Sequence, residues 1–310
     1  MSVAYISHHA CLLHAAAQEH PEQPARLTAI EDTLASSGVL PDMPQYEAPR
    51  VKQSQLERVH FPDYVFRLFA AAPADGVRYL DHDTYINPHT VEAAKRAAGA
   101  VVHGVDLVMQ GEVDSAFCAV RPPGHHAEPH RAMGFCIFNN IAVGAAHAME
   151  EYGLERVAIV DFDIHHGNGT EEMFQDDPRV LLCSSFQSPF FPFTGVNTRS
   201  DHVLNVMFPA ATDSATYRER VADSWFPALD SFRPQMILFS AGFDAHADDP
   251  LGQLLLDESD FAWITGQIKA IADKHAQGRM VSTLEGGYDL LALGRSVVAH
   301  VKALQGEDAD

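Results

Sequence analysis

Seven short runs of apolar, β-branched residues punctuate the chain, at 3–6, 116–120, 156–162, 180–184, 203–206, 236–241 and 280–284. Most are continuously apolar rather than alternating, the pattern of strands buried on both faces in a parallel sheet. Between them lie amphipathic stretches of helical period at 25–37, 88–110, 140–152, 214–230, 258–277 and 290–304. This alternation predicts an α/β fold: an open, mostly parallel β-sheet with helices on both faces. With 310 residues, 46% of them hydrophobic, the chain can bury a large core. The Pro-rich stretch 41–49 and the segment 188–200 read as loops rather than linkers, and no repeat recurs at a fixed period. The expected organisation is one domain over 1–310, with 306–310 a frayed acidic tail.

Charge and composition narrow the function classes. Asp and Glu number 42 against 21 Lys and Arg, a formal charge of −21 that argues against direct grip on nucleic-acid phosphates. No apolar run is long enough to cross a bilayer, and no basic start marks a secretory signal. Cys11, Cys118, Cys136 and Cys183 are scattered without a CxxC pair, which suits a reducing compartment, so the expected location is cytoplasmic. The 18 histidines nearly equal all the Lys and Arg together. Those outside the motifs below, including His8, His9, His14 and His300, are expected at the surface.

In open α/β sheets, ligands bind beyond the carboxyl ends of the strands. Four segments meet that condition: RPPGHH (121–126), DFDIHHGNGT (161–170), GFDAHADDP (242–250) and EGGY (285–288). Alternation along a strand is expected to put Asp161, Asp163 and His165 on one face. Asp163 and His165 offer an oxygen and a nitrogen to one metal, with Asp161 behind them as an acceptor. Asp244, after a neighbouring strand, completes a three-ligand set with an open position, as in catalytic zinc sites. A lone DxDxH is commonly surface chemistry, and a lone histidine is commonly structural; polar groups at four strand ends are not explained that way. His125 and His126 follow a Pro-Pro-Gly turn and suit general acid and base roles near neutrality. Tyr288 follows Gly286 and Gly287, where a phenol can donate to a carbonyl oxygen as charge grows on it.

At these residues the sequence resembles the zinc-dependent histone deacetylase and acetylpolyamine amidohydrolase family, on the arginase–deacetylase fold. The matching motifs are HPEQPARL (20–27), RPPGHH (121–126), GFCIFNN (134–140), DFDIHHGNGT (161–170), AGFDAHADDPLG (241–252) and EGGYDL (285–290). They run in the family's order and look more like class II members than class I. The resemblance implies one Zn²⁺ per chain on Asp163, His165 and Asp244, and hydrolysis of an acylated primary amine by metal-activated water. It makes His126 the general base and then the acid, with His125, held by Asp161, as electrostatic support. Tyr288 is implied to polarise the carbonyl. A structural potassium ion is implied at Asp161, Asp163, His165 and the neighbourhood of Ser184.

Phe135 and Phe191 resemble the tunnel walls that grip a lysine's methylenes, and the Gly134 carbonyl resembles the acceptor for the scissile amide N–H. Arg26 and Gly287 fall among the tunnel residues, Arg26 near an inner acetate-release cavity. Asn168 stands where class I members carry a second Asp behind the base histidine, so a lower pKa is expected for His126. Leu251 stands where polyamine-specific members place an acidic gatekeeper, which favours acetyl-lysine peptides or proteins; acetylpolyamines are the alternative substrate. No membrane partner is expected, and self-association is left open. A dimanganese ureohydrolase is set aside because DAHAD (244–248) follows, rather than precedes, the DxD strand. A non-catalytic binder of acylated lysine is disfavoured because no expected catalytic residue is missing.

Overall fold

The computed structural model describes residues 1–16 and 19–307. Among them, the strands in chain order are β1 (Val3–Ser7), β2 (Gln45–Glu47), β3 (Arg78–Tyr79), β4 (Tyr85–Ile86), β5 (Ser115–Cys118), β6 (Val157–Asp161), β7 (Val180–Gln187), β8 (Val203–Phe208), β9 (Met236–Ala241) and β10 (Met280–Leu284). β3 and β4 form a small antiparallel hairpin; the other eight form one sheet in the order β2-β1-β5-β10-β9-β6-β7-β8. Every neighbouring pair in that sheet is parallel. The central strands β5, β6, β9 and β10 are wholly buried, which is why they read as continuous apolar runs.

The helices are α1 (Ala10–Leu13), α2 (Ala25–Ser36), α3 (Gln53–Leu56), α4 (Pro62–Ala71), α5 (Thr90–Met109), α6 (Asn140–Tyr152), α7 (Asn168–Phe174), α8 (Ser214–Phe232), α9 (Glu258–His275) and α10 (Leu290–Gln305). They fall into two packed groups on the two faces of the sheet. α5 and α6 pair over β5, β10, β6 and β9, while α2, α10, α9 and α8 pack in sequence over the other face. Side-chain caps set several starts: Asn139 accepts from Ala142 N at 3.0 Å and Asp289 from Ala292 N at 2.8 Å. Asp257 and Asp260 form a reciprocal capping box on α9.

The expected elements are present, with differences that have physical causes. The 41–49 stretch is not all loop, because Gln45–Glu47 adds an edge strand to β1. α4 was not expected; it starts on Pro62 and buries Tyr64, Val65 and Leu68 in a second apolar cluster beside α5. The last helix runs to Gln305 and ends on Gly306 in the left-handed region, φ +83°. The rest of the predicted tail, from 308, lies outside the described residues. Four of the histidines expected at the surface are buried: His14, His60, His147 and His300. His300 is 0% exposed and bridges Thr265 Oγ1 and Ser282 Oγ at 2.6 and 2.8 Å; His14 is 1% exposed and meets Thr90 Oγ1 at 2.8 Å. Hydroxyl partners make their burial tolerable.

Candidate active site

Because the sheet is parallel, β5, β10, β9 and β6 deliver their following loops to one end of the molecule, side by side. Asp161 is the last residue of β6, so Asp163 and His165 do not share a strand face with it as alternation predicted; they lie in the loop beyond. Backbone amides shape that loop around the carboxylates. Asp161 Oδ1 accepts from Asp163 N at 3.1 Å, Asp163 Oδ1 from His165 N at 2.8 Å, and Asp163 Oδ2 from Gly286 N at 2.8 Å. Asp244 Oδ1 accepts from Ile164 N at 2.9 Å, which ties the β9 loop to the β6 loop.

The remaining donor atoms converge. His165 Nδ1 lies 3.0 Å from Asp163 Oδ1 and 3.1 Å from Asp244 Oδ2. Asp163, His165 and Asp244 each present one ligand atom, all within 4.8 Å of one another. Burial alone would depress the His165 imidazole, but the two carboxylates outweigh it and raise it to about 10. Burial and the Asp163 charge push Asp244 up to about 7. Two buried carboxylates facing one imidazole are a strong cation trap, and two oxygens with one nitrogen suit a zinc-type ion. The pocket is closed from behind: a Cβ on Gly286 would sit 2.0 Å from Asp244 Oδ2 and 2.6 Å from Asp163 Oδ2.

Beside this cluster stand His125 and His126, ring centroids 4.1 Å apart. His125 Nδ1 meets Asp161 Oδ2 at 2.9 Å, and His126 Nδ1 meets Asn168 Oδ1 at 2.8 Å. Asn168 Nδ2 donates to Glu128 Oε1 at 2.9 Å, which fixes the amide so that its oxygen faces the ring. His126 therefore carries its proton on Nδ1, and Nε2 keeps a lone pair. Burial lowers His126, as do the neighbouring His125 and His165, and its pKa lies well below the usual value. Burial would lower His125 too, but Asp161, Asp163 and Glu285 outweigh it and raise it well above. Glu285 Oε2 also clamps the tandem backbone, accepting from Gly124 N at 2.7 Å and His125 N at 3.1 Å.

A cavity of about 300 Å³ opens over these groups, lined by His126, His165, Gly134, Phe135, Phe191, Leu251 and Tyr288. Tyr288 and Phe135 meet edge to face at 6.0 Å, while Phe191 stands 5.3 Å from His126. Phe135 adopts φ +68°, a costly conformation for a large side chain, beside a hydrogen bond from its N–H to Thr84 Oγ1 at 3.1 Å. Burial and the Asp244 charge push the Tyr288 phenol well above its usual range. The Tyr288 backbone is anchored by Asp249 Oδ2, which accepts from Tyr288 N at 2.6 Å and Asp289 N at 3.2 Å.

Arg26 and Gly287 are not among the residues lining this cavity. Arg26 is buried behind it, donates to Gly287 O at 2.6 Å, and lies 4.9 Å from the Tyr288 ring centre. Its charge is answered by Glu22, which also pairs with Arg121. Ser184 is opposite Asp161 in the β6–β7 ladder, and its buried Oγ has no hydrogen-bond partner. Sequence reasoning missed Phe190, which stacks on His165 at 5.3 Å and lines the cavity, and Asp83 at the same cavity. Phe190 had a signal in its adjacency to Phe191; Asp83, on the β3–β4 hairpin, had none. Asp249 and Glu285 lie inside quoted motifs, but only their backbone partners reveal what they do.

Comparison with known proteins agrees with this geometry. The histone deacetylase domain profile matches residues 20–304. The histone deacetylase-like amidohydrolase of Pseudomonas aeruginosa is 37% identical over 88% of this chain and 73% of its own length. The polyamine deacetylase HDAC10 of Homo sapiens is 35% identical over 93% of this chain, which spans 45% of that protein. The crystal structure of the HDA15 HD domain superposes with a TM-score of 0.92 at 34% identity, covering 100% of this chain and 89% of that one. The chain belongs to the histone deacetylase family of deacetylase and amidohydrolase enzymes, on the arginase–deacetylase fold.

Proposed function

We propose that the chain hydrolyses the amide of an acylated primary amine, N6-acetyl-lysine in a peptide or protein, with one zinc ion held by Asp163, His165 and Asp244. The observation that carries this reading is the convergence of those three donors, of which His165 lines a cavity that also holds His126 and Tyr288. When bound, a divalent ion there supplies Lewis acidity toward the amide carbonyl and lowers the pKa of water. His126 is the neutral base: Asn168 holds Nδ1–H, so Nε2 takes a proton from water and returns one to the leaving amine. Tyr288, kept protonated by its surroundings, donates to the carbonyl oxygen as negative charge develops. His125, paired with Asp161, places a positive charge beside that transition state. The Gly134 carbonyl orients the amide N–H, and Phe135, Phe190 and Phe191 exclude water from the substrate's methylenes.

A potassium ion behind the zinc ligands, at Asp161, Asp163, His165 and Ser184, is supported by the orphaned Ser184 hydroxyl. Apolar Leu251 in the cavity lining supports a lysine-type substrate. Asp83 in the same lining, together with the name of the human relative, favours acetylpolyamines as the second reading. The test is turnover of acetyl-lysine peptides and N-acetylputrescine by metal-defined protein. The proposal expects peptide hydrolysis that a chelator abolishes and zinc restores. A tenfold higher kcat/KM for N-acetylputrescine would transfer the assignment to polyamines, and no turnover of either by zinc-loaded protein would overturn it.

A further inference from the structure

His166 belongs to the 161–170 motif but is not among the residues lining the cavity. It is buried, and both ring nitrogens are engaged: Nδ1 with Thr194 Oγ1 and Nε2 with Glu171 Oε2, each at 2.8 Å. Glu171, on α7, is a hub. It also accepts from Thr198 Oγ1 at 2.5 Å and from Asn205 Nδ2 at 2.8 Å. Asn205 Nδ2 reaches the Gly195 carbonyl as well, at 3.0 Å.

Three points of the segment 188–200 (Thr194, Gly195 and Thr198) are therefore tied to one imidazole–carboxylate pair and its neighbour on β8. The fit is close: a Cβ on Gly195 would lie 2.7 Å from His166 Nε2, at a backbone φ of +79°. A carboxylate only accepts, so His166 Nε2–H donates to Glu171, while Nδ1 pairs with the Thr194 hydroxyl. The same segment carries Phe190, stacked on His165, and Phe191, edge-on to His126 at 5.3 Å.

We propose that His166 and Glu171 are positioning residues that set the width of the acyl passage by holding the 188–200 segment, and with it Phe190 and Phe191, against the site. The inference rests on the amide-hydrolase reading of the cavity. Width is read by acyl size, which a general loss of stability does not change selectively. The experiment compares acetyl- and butyryl-lysine forms of one peptide on zinc-loaded full chain, for Glu171→Gln, Thr194→Val and the neighbouring control Glu172→Gln.

For the first two variants, KM for the acetyl peptide should rise about tenfold with kcat within about threefold, and the butyryl-to-acetyl ratio of kcat/KM should rise about fivefold. Metal content and the control's kinetics should match the parent. Hydrogen exchange should quicken in 188–200 and not in the sheet. A parallel fall for both peptides, or unchanged kinetics, overturns the proposal, as does unchanged exchange in 188–200. If the parent hydrolyses neither peptide, the functional reading fails instead, and hydrogen exchange alone still decides whether the hub holds the segment.

Discussion

Two sets of buried histidines in this molecule differ in what they face. His14, His60 and His300 meet hydroxyls, backbone groups and aromatic rings; burial dominates and lowers them to about 3, 4 and 3. Glu22 near His14 raises it only in part. At the strand ends, carboxylates dominate instead and lift His165 to about 10 and His125 well above normal. His126, backed by a neutral amide, behaves electrostatically like the core set while sitting among the reactive groups. In the core set burial prevails and the histidines stay neutral; at His165 two opposed carboxylates form the candidate cation site; and the amide behind His126 leaves the proposed base unprotonated.

The first way to break that contrast is to remove the base. His126→Ala should lower kcat by about 10²–10⁴ with the metal retained, measured by peptide turnover and metal analysis. Tyr288→Phe follows, with kcat down about 10²–10³ at unchanged zinc content. Asn168→Asp sharpens the comparison directly. A carboxylate behind His126 favours its protonated form, so the acid limb of the kcat/KM profile should move to higher pH by roughly one unit.

The smallest effects belong to the core set. A histidine whose folded pKa is depressed leaves the unfolded chain binding more protons, so stability falls as pH drops below the ordinary 6.5 and stops falling near the folded values of about 3 to 4. Urea midpoints at pH 7.5 and 5 should differ in that direction, with a shallower dependence in His300→Leu. That variant should also lose about 1–3 kcal/mol by leaving the Ser282 and Thr265 hydroxyls short of a partner, with kcat unaffected.

What could be read from sequence follows from which forces are local. The buried strands were visible because a parallel sheet demands unbroken apolar runs, and the candidate metal donors because they cluster at strand ends within a few residues of chain. The exact geometry was not: Asp163 and His165 lie beyond the strand, where backbone amides of the β6 and β10 loops bind the carboxylates of Asp161, Asp163 and Asp244, a tertiary effect with no periodicity. Asp83 and Phe190 enter the cavity from a hairpin and a loop that tertiary packing alone brings to the site. His14 and His300 looked like surface residues because their hydroxyl partners are 76, 35 and 18 positions away. Helix α4 escaped notice because its apolar face packs on a satellite cluster rather than on the sheet.

The central claim is that Asp163, His165 and Asp244 hold the ion on which amide hydrolysis depends. Its most direct test is zinc content and acetyl-lysine peptide turnover measured together on the parent and on Asp244→Asn. The account predicts one zinc per parent chain, with both the metal and the turnover lost in a variant that keeps its far-ultraviolet circular dichroism. Turnover that survives in a folded, zinc-free variant would contradict it.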